Sequence, residues 1–122
     1  MARGAEPELA GDYTQFQGRW IVSQCEREGA ATPQLNGSIF TYEGKTVRLG
    51  TEPGSENYAL HEDTSPKGID YADGHTPPVL GIYKFEGETL TICTADPGRE
   101  RPKAFHTAEK DGMTLMQLRR AK

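Results

Sequence analysis

The chain has 122 residues, 34% of them hydrophobic and 26% charged, and it contains 14 Gly and 8 Pro. This length corresponds to one domain, and so many residues that disfavour helix interiors rule out a helical bundle. The net charge of −4 argues against a nucleic-acid binder, whose surface is normally basic. No apolar run is long enough to span a membrane. Residues 1–4 lack the apolar stretch of a secretory signal, so we expect a cytoplasmic protein.

The first part of the chain predicts a flexible segment over residues 1–11, followed by one domain over residues 12–122. Leu9, Tyr13 and Phe16 recur every three to four residues, which is typical of a short helix, and Asp12 is a candidate N-cap. Such a helix is too short to be stable alone. It must therefore pack its aromatic face on the rest of the domain.

Alternation of apolar and polar residues begins at Gly18 and continues into two predicted hairpins. The first strand places Trp20, Val22 and Gln24 on one face. In the segment 38–50, a two-residue turn at Glu43-Gly44 would pair Phe40 with Val47. One face of that hairpin then carries Phe40, Tyr42, Val47 and Leu49.

The segment 79–94 predicts the clearest hairpin, with Gly87-Glu88 as its turn. This turn pairs Glu86 with Thr89 and Tyr83 with Ile92. One face of the hairpin consists of Gly81, Tyr83, Phe85, Leu90, Ile92 and Thr94. Agreement between the turn position and an apolar face is what a real hairpin requires.

The remaining segments predict short strands with short connections. Tyr58 and Leu60 mark one strand, Ile69 and Tyr71 mark the next, and a last hairpin joins residues 103–107 to residues 113–120. Eight or nine strands in sequence order close most simply into a barrel. The predicted fold is therefore all-β, a single antiparallel up-and-down barrel of about eight strands, with the short helix at one end.

The residues around Trp20 carry a family resemblance. Gly18-Arg19-Trp20 opens the first strand directly after the short helix, and this resembles the Gly-x-Trp signature of lipocalins and the wider calycin group. The resemblance implies that Gly18 and Trp20 close one barrel end and that an Arg of the last strand stacks on the indole. We assign that role to Arg120, which alternates in phase with Met116 and Leu118. The alternative is that Trp20 is an ordinary core residue.

A second resemblance covers about residues 12–120. Its motifs are Gln17-Gly18-x-Trp20, Pro66-Lys67-Gly68-Ile69-Asp70, Gly81-Ile82-Tyr83, Gly87-x-x-Leu90-x-Ile92-Cys93, Arg101-Pro102 and Phe105. In this order and spacing they are similar to a bacterial lipocalin-like domain family known mainly from planctomycetes and actinomycetes. The resemblance implies a lipocalin-like barrel and no particular activity.

Four of the five tyrosines fall at the alternating apolar positions that are expected to face the barrel interior. Aromatic walls with polar tips are typical of a small-molecule pocket, although the same rings could instead fill a small barrel. The candidate ligand-binding residues are Tyr83, Phe85, Gly81, Ile92, Tyr42, Tyr58, Tyr71 and Phe40. Because Gly81 has no side chain, we expect free volume beside Tyr83 and Phe85, open at the end opposite Trp20.

We therefore expect the protein to bind a small apolar or aromatic molecule inside the barrel, with no cofactor and no nucleic-acid partner. One alternative is a small enzyme of the cyclase or isomerase type that uses the same pocket. Another is an interaction domain with a filled core. Two or more titratable groups in a common cavity would favour the enzyme, and the absence of a cavity would favour the interaction domain.

Charged residues outside the interior have simpler interpretations. Arg99 and Arg101 are candidates for an anion contact at the barrel mouth, or else ordinary surface charges. Asp70 points away from Ile69 and is expected to hold a loop or accept Arg101. The spacing of His61, His75 and His106 and of Cys25 and Cys93 predicts no metal site, and the two cysteines are expected to be free thiols.

Overall fold

Antiparallel strands follow one another around a closed barrel in the computed structural model, which describes residues 11–50, 55–74 and 77–121. The elements are α1 (Asp12–Phe16), β1 (Gly18–Arg27), β2 (Ala30–Ala31), a 3₁₀ turn (Pro33–Leu35), β3 (Ile39–Glu43), β4 (Thr46–Leu49), β5 (Glu56–His61), β6 (Lys67–Ala72), β7 (Val79–Glu86), β8 (Thr89–Ala95) and β9 (Met113–Arg120). Apart from Gly11, the predicted flexible segment lies outside the described residues, as do Leu9 and His75.

The barrel closes because β1 pairs with both β3 and β9. Eight of the strands in the described part of the chain form it, β1 and β3 to β9, each antiparallel to its neighbours. The two-residue β2 pairs only with Glu26 and Arg27, at the C-terminal end of β1. This arrangement confirms the predicted all-β up-and-down barrel.

A bulge in β1 changes which side chains face inward. The pairing with β9 shifts between Val22 and Gln24, so that one extra residue is inserted. Beyond such a bulge the alternation reverses. Cys25 is therefore buried and Gln24 exposed, which corrects the predicted inward position of Gln24.

The two predicted hairpins differ in how well the sequence places their turns. In the β7–β8 hairpin, Glu86 pairs with Thr89 and Tyr83 with Ile92, as predicted. In the β3–β4 hairpin, Glu43 pairs with Thr46, so the turn is Gly44-Lys45 and the predicted Glu43-Gly44 turn is wrong. Gly44 has φ of 62° and takes the first turn position, where glycine accepts a positive φ without strain. The pairing register differs from the predicted one by two residues, so the same side chains still face inward.

The predicted strand over residues 103–107 does not form. Instead β9 pairs directly with β8, and residues 96–112 make a long loop across the outside of the barrel. This loop buries Pro102 and brings the His106 carbonyl within 3.9 Å of Cys93 Sγ. Ile82 and Cys93, which point outward from β7 and β8, are thereby covered to 1% and 0% exposure. The loop covers an apolar patch on the outside of the barrel. A strand paired within the sheet would leave that patch exposed.

The helix end of the barrel is closed by Trp20 and its neighbours. The Trp20 indole N–H donates to the Phe16 carbonyl over 2.8 Å. The Arg120 guanidinium lies 4.3 Å from the Trp20 ring centroid and donates to the Gln17 carbonyl, which confirms the expected stacking. Gly18 has φ of 110°, and a Cβ there would lie 3.3 Å from Arg120 Nη1. Glycine therefore permits both the backbone geometry and the close approach of the guanidinium.

We predict that Trp20→Ala lowers the free energy of unfolding by about 3 to 5 kcal/mol, because it removes a large buried ring and leaves a cavity. Urea unfolding measures this change. Leu35→Ala, at a leucine that is 42% exposed, is the control and should change stability by less than about 0.5 kcal/mol. A loss below about 1 kcal/mol for Trp20→Ala would contradict its role in closing the barrel.

Candidate functional site

An apolar recess of about 200 Å³ opens at one end of the barrel. Its lining comes from β3 to β9, one residue from each strand: Phe40, Leu49, Glu56, Tyr71, Val79, Thr94 and Met116. We call this recess the mouth. Val79 begins β7 and Phe85 lies six residues further along, where its ring is 6.1 Å from that of Trp20. Because a strand rises about 3.3 Å per residue, the Val79 side of the mouth lies far from Trp20, whereas Phe40 on the other side pairs directly with Trp20.

Strand pairing explains why these side chains converge. Phe40 pairs with Leu49 and Tyr71 pairs with Val79, so each pair points to the same face of the sheet. In a closed barrel that face is the interior. Leu49 is 38% exposed and lies at the rim of the recess.

Tyr71 lines the mouth and is hydrogen-bonded to Tyr42, which lies behind it in the core. The Tyr42 and Tyr71 hydroxyl oxygens are 2.8 Å apart, and the residues are 1% and 7% exposed. Burial raises the pKa of the Tyr42 phenol well above its usual value, and the neighbouring Tyr71 adds to this. Burial likewise raises the pKa of Tyr71. Both phenols are therefore neutral hydrogen-bond groups at any ordinary pH.

Glu56 provides the one carboxyl group among the described residues that line the mouth. Burial raises the pKa of this carboxyl, and the negative charge of Asp73 raises it further. Both effects disfavour the charged form. A partly desolvated carboxyl beside an apolar recess is a group that a ligand can engage.

The middle of the barrel is filled rather than hollow. The Phe16 ring enters from α1, and its centroid lies 4.9 Å from that of Tyr42 and 5.1 Å from those of Tyr83 and Phe85. Tyr58 is also in contact, at 5.8 Å. Of the predicted ligand-binding residues, only Phe40 and Tyr71 line the mouth, while Tyr42, Tyr58, Tyr83 and Ile92 are buried in this packed core.

The expected free volume beside Gly81 is absent. A Cβ at this position would lie 2.8 Å from the Cys93 carbonyl oxygen and 2.9 Å from Thr94 Cγ2. Glycine occurs here because the neighbouring strand approaches closely. The prediction that Tyr83 and Phe85 line a cavity entered from the end opposite Trp20 is therefore wrong in its location: Phe85 packs near Trp20, and Tyr83 and Phe85 both border the open cleft beside Asp12 at the helix end.

A network of charged and polar groups surrounds Asp12 at the helix end. Asp12 Oδ2 accepts from the Tyr83 hydroxyl over 2.7 Å and from Lys67 Nζ over 2.9 Å, and Oδ1 accepts from Gln15. Gly11 precedes the helix, so Asp12 is its first residue and not its N-cap. These groups border an open cleft of about 600 Å³. Because the carboxylate is already engaged by three donors, we interpret the network as a structural link between α1 and the barrel.

Sequence reasoning did not identify this network, although one signal was present. Lys67 alternates in phase with the inward-facing Ile69 and Tyr71. The Lys67 side chain is exposed at the strand end, from where its ammonium group can reach a carboxylate at the rim. Asp12 supplies that carboxylate, but the distance of 55 residues between the two hides the pairing from local patterns.

The outward-facing Asp70 accepts two partners. Arg101 Nη1 lies 2.7 Å from Asp70 Oδ1, and His61 Nε2 lies 2.8 Å from Oδ2. This confirms the expectation that Asp70 accepts Arg101. Arg101 also donates to the Gly81 carbonyl over 2.9 Å and so holds the long loop on the barrel. The predicted anion contact does not assemble, because Arg99 borders a different cleft, beside Asp111.

The remaining candidate groups are not gathered into a site. Cys25 and Cys93 are both free and buried. Among the described residues, no three His, Cys, Asp or Glu side chains converge as metal ligands would. Neither does any helix in that part of the chain have the length and apolar character needed to cross a membrane.

Comparison of the chain with protein-family models, with curated proteins and with solved structures finds no match. The fold itself, a closed antiparallel barrel of eight strands with a short N-terminal helix, is consistent with the calycin type. The barrel therefore defines the architectural class of the protein and no narrower family.

We predict that the Asp12 network makes stability sensitive to acid. Although burial would raise the pKa of the Asp12 carboxyl, hydrogen bonds from Lys67 and Tyr83 lower it below the value of 3.8. A lowered pKa stabilises the fold above the unfolded-state value, and this contribution is lost as pH falls through the folded-state value. The free energy of unfolding should therefore fall less between pH 5 and pH 3 in Asp12→Asn than in wild type, by urea unfolding.

The matched control for this prediction is Asp63→Asn, which removes an exposed carboxylate from the β5–β6 turn. It should keep the acid dependence of wild type. An Asp12→Asn variant with the same acid dependence as wild type would show that the network does not stabilise the fold.

Proposed function

We propose that the protein binds a small apolar or aromatic molecule, about one ring in size, in the mouth of the barrel. The observation that carries this proposal is the recess of about 200 Å³, lined mainly by apolar side chains from seven strands. An apolar cavity of about 150 Å³ in another protein is known to bind benzene. The volume of the mouth therefore favours a single ring with a short substituent.

The packed core narrows the site proposed from the sequence to one end of the barrel. Phe40 and Tyr71 remain in the proposed binding site, joined by Leu49, Val79 and Met116. The filled middle would also suit an interaction domain, but a concave apolar recess with a few polar groups favours a small-molecule site. Membership of the bacterial lipocalin-like family and a cytoplasmic location belong to the same proposal.

We predict saturable 1:1 binding of toluene to the wild-type protein, followed by NMR, with Kd on the order of 1 mM. Leu49→Glu places a charge at the rim of the mouth and should weaken toluene binding at least tenfold. The control is Leu35→Glu, because Leu35 is similarly exposed, at 42% against 38%, and does not line the mouth. Its affinity for toluene should match that of wild type.

Two results would contradict this proposal. If toluene does not bind wild type saturably, the mouth is not a binding site. Equal weakening in both variants would mean that toluene binds elsewhere or through non-specific surface contacts.

A second candidate function is an isomerase in the same mouth, and Glu56 is the observation that favours it. Its carboxyl borders the recess, and burial together with Asp73 raises its pKa. A general base is most effective when its pKa approaches the working pH. In this mechanism the Glu56 carboxylate removes a proton from the carbon next to a carbonyl group and returns it to the same or a conjugated carbon.

Hydrogen–deuterium exchange tests the isomerase. With cyclohexanone in D₂O, wild type should exchange the protons next to the carbonyl faster than buffer does, as followed by NMR. Glu56→Gln should reduce this exchange to the buffer rate, because the amide cannot accept the proton. The isomerase is wrong if wild type and Glu56→Gln exchange the protons at the same rate.

A further inference from the structure

Among the described residues, the hydroxyl groups of Tyr42 and Tyr71 have one more hydrogen than they have acceptors. Each phenol has one O–H hydrogen and two lone pairs. The Tyr42 and Tyr71 oxygens are 2.8 Å apart, and one of the two hydrogens occupies the bond between them. The second hydrogen meets no acceptor on any residue that the structure describes. A buried donor without an acceptor is costly and rare.

The surroundings of the two phenols indicate which one holds the spare hydrogen. Tyr42 is 1% exposed, and its ring lies 4.9 Å from that of Phe16 and 5.0 Å from that of Tyr58. A spare hydrogen on Tyr42 would therefore point into aromatic packing. Tyr71 lines the mouth, where a bound molecule or solvent can accept. Donation from Tyr42 to Tyr71, and from Tyr71 into the mouth, leaves the fewest groups unsatisfied.

Other polar groups near the pair do not compete for this hydrogen. The Tyr58 hydroxyl donates to the Gly44 carbonyl over 2.8 Å and accepts from Gln17. Glu56 acts on Tyr71 through its charge, and no hydrogen bond joins the two side chains. The spare hydrogen is thus a hydrogen-bond donor that the recess offers to a ligand beside the Glu56 carboxyl and Thr94.

We propose that the mouth selects ligands bearing a hydrogen-bond acceptor, and specifically one-ring compounds with a carbonyl group, through donation from the Tyr71 hydroxyl. This inference rests on the proposed binding function and narrows its ligand class. A ring occupies the apolar walls formed by Phe40, Val79 and Met116. The carbonyl oxygen reaches the Tyr71 hydroxyl and accepts its hydrogen, which Tyr42 polarises by donating to the same phenol.

The test uses two probes of nearly the same shape, acetophenone and α-methylstyrene, which differ by C=O in place of C=CH₂. Water solvates the ketone oxygen, so the informative quantity is the ratio of the two affinities compared between proteins. In Tyr71→Phe the affinity for acetophenone relative to α-methylstyrene should fall by roughly fivefold, because a buried hydrogen bond is lost. α-Methylstyrene should bind as it does to wild type.

Tyr42→Phe is the matched control, since it removes one oxygen from the same buried pair and leaves the Tyr71 hydroxyl in place. Its affinity ratio should stay within about twofold of wild type. Near-ultraviolet circular dichroism establishes that both variants keep the packed core. If Tyr71→Phe does not fold, the ¹³Cζ resonance of Tyr71 in wild type replaces it: acetophenone should shift this signal and α-methylstyrene should not.

Each outcome separates the two proposals. If both probes bind and Tyr71→Phe leaves the ratio unchanged, the acceptor preference is wrong and the apolar site stands. A change of the ratio in Tyr42→Phe alone would place the spare hydrogen on Tyr42 and overturn the assignment to Tyr71. If neither probe binds wild type, the proposed binding function fails and this inference fails with it.

Discussion

The ring of Phe16 enters the barrel from α1 and contacts Tyr42, Tyr58, Tyr83 and Phe85. Inward-facing tyrosines would otherwise leave a space between them that water would enter. By occupying it, Phe16 makes the middle of the barrel a packed core, with the mouth at one end and the cleft beside Asp12 at the helix end. A helix of five residues has little stability of its own. It is held in place by this ring and by the Asp12 network.

The same packing determines how the tyrosine hydroxyls are used. Tyr58 donates to Gly44, Tyr83 donates to Asp12, and Tyr13 accepts from the Leu60 amide. These bonds join the helix end to the β3–β4 turn, β7 and β5. The hydroxyl groups of Tyr42 and Tyr71 bond only to each other among the described residues. The tyrosine hydroxyl that remains for a ligand, that of Tyr71, therefore belongs to a residue that lines the mouth.

Local patterns in the sequence predict the barrel well because alternation and tight turns are local properties. The β7–β8 pairing was predicted residue by residue from Gly87 and its flanking apolar face. The β1 bulge was missed, since an inserted residue leaves no mark on composition, and Gln24 was placed inside for that reason. The sequence predicts a strand over residues 103–107, whereas this segment belongs to the loop that covers Ile82 and Cys93 from outside.

The binding site was predicted only in part, for a different reason. Phasing shows which side chains face inward, and it placed Phe40 and Tyr71 correctly on the interior face. It does not show that a ring from another element fills the same space, or that Gly81 lies against the carbonyl of Cys93. Both are long-range packing facts. The sequence pattern of Gly81 next to Tyr83 predicts free volume. In the structure, the neighbouring strand β8 approaches Gly81 closely instead.

The central claim is that Phe16 fills the middle of the barrel and leaves the mouth as an apolar recess that can take up a small molecule. A crystal structure under xenon pressure tests it directly, because xenon enters dry apolar cavities without needing a hydrogen bond. We predict xenon between Phe40, Val79 and Met116. Xenon beside Phe16 and Tyr83 instead, or a barrel that takes up no xenon at all, would contradict the account.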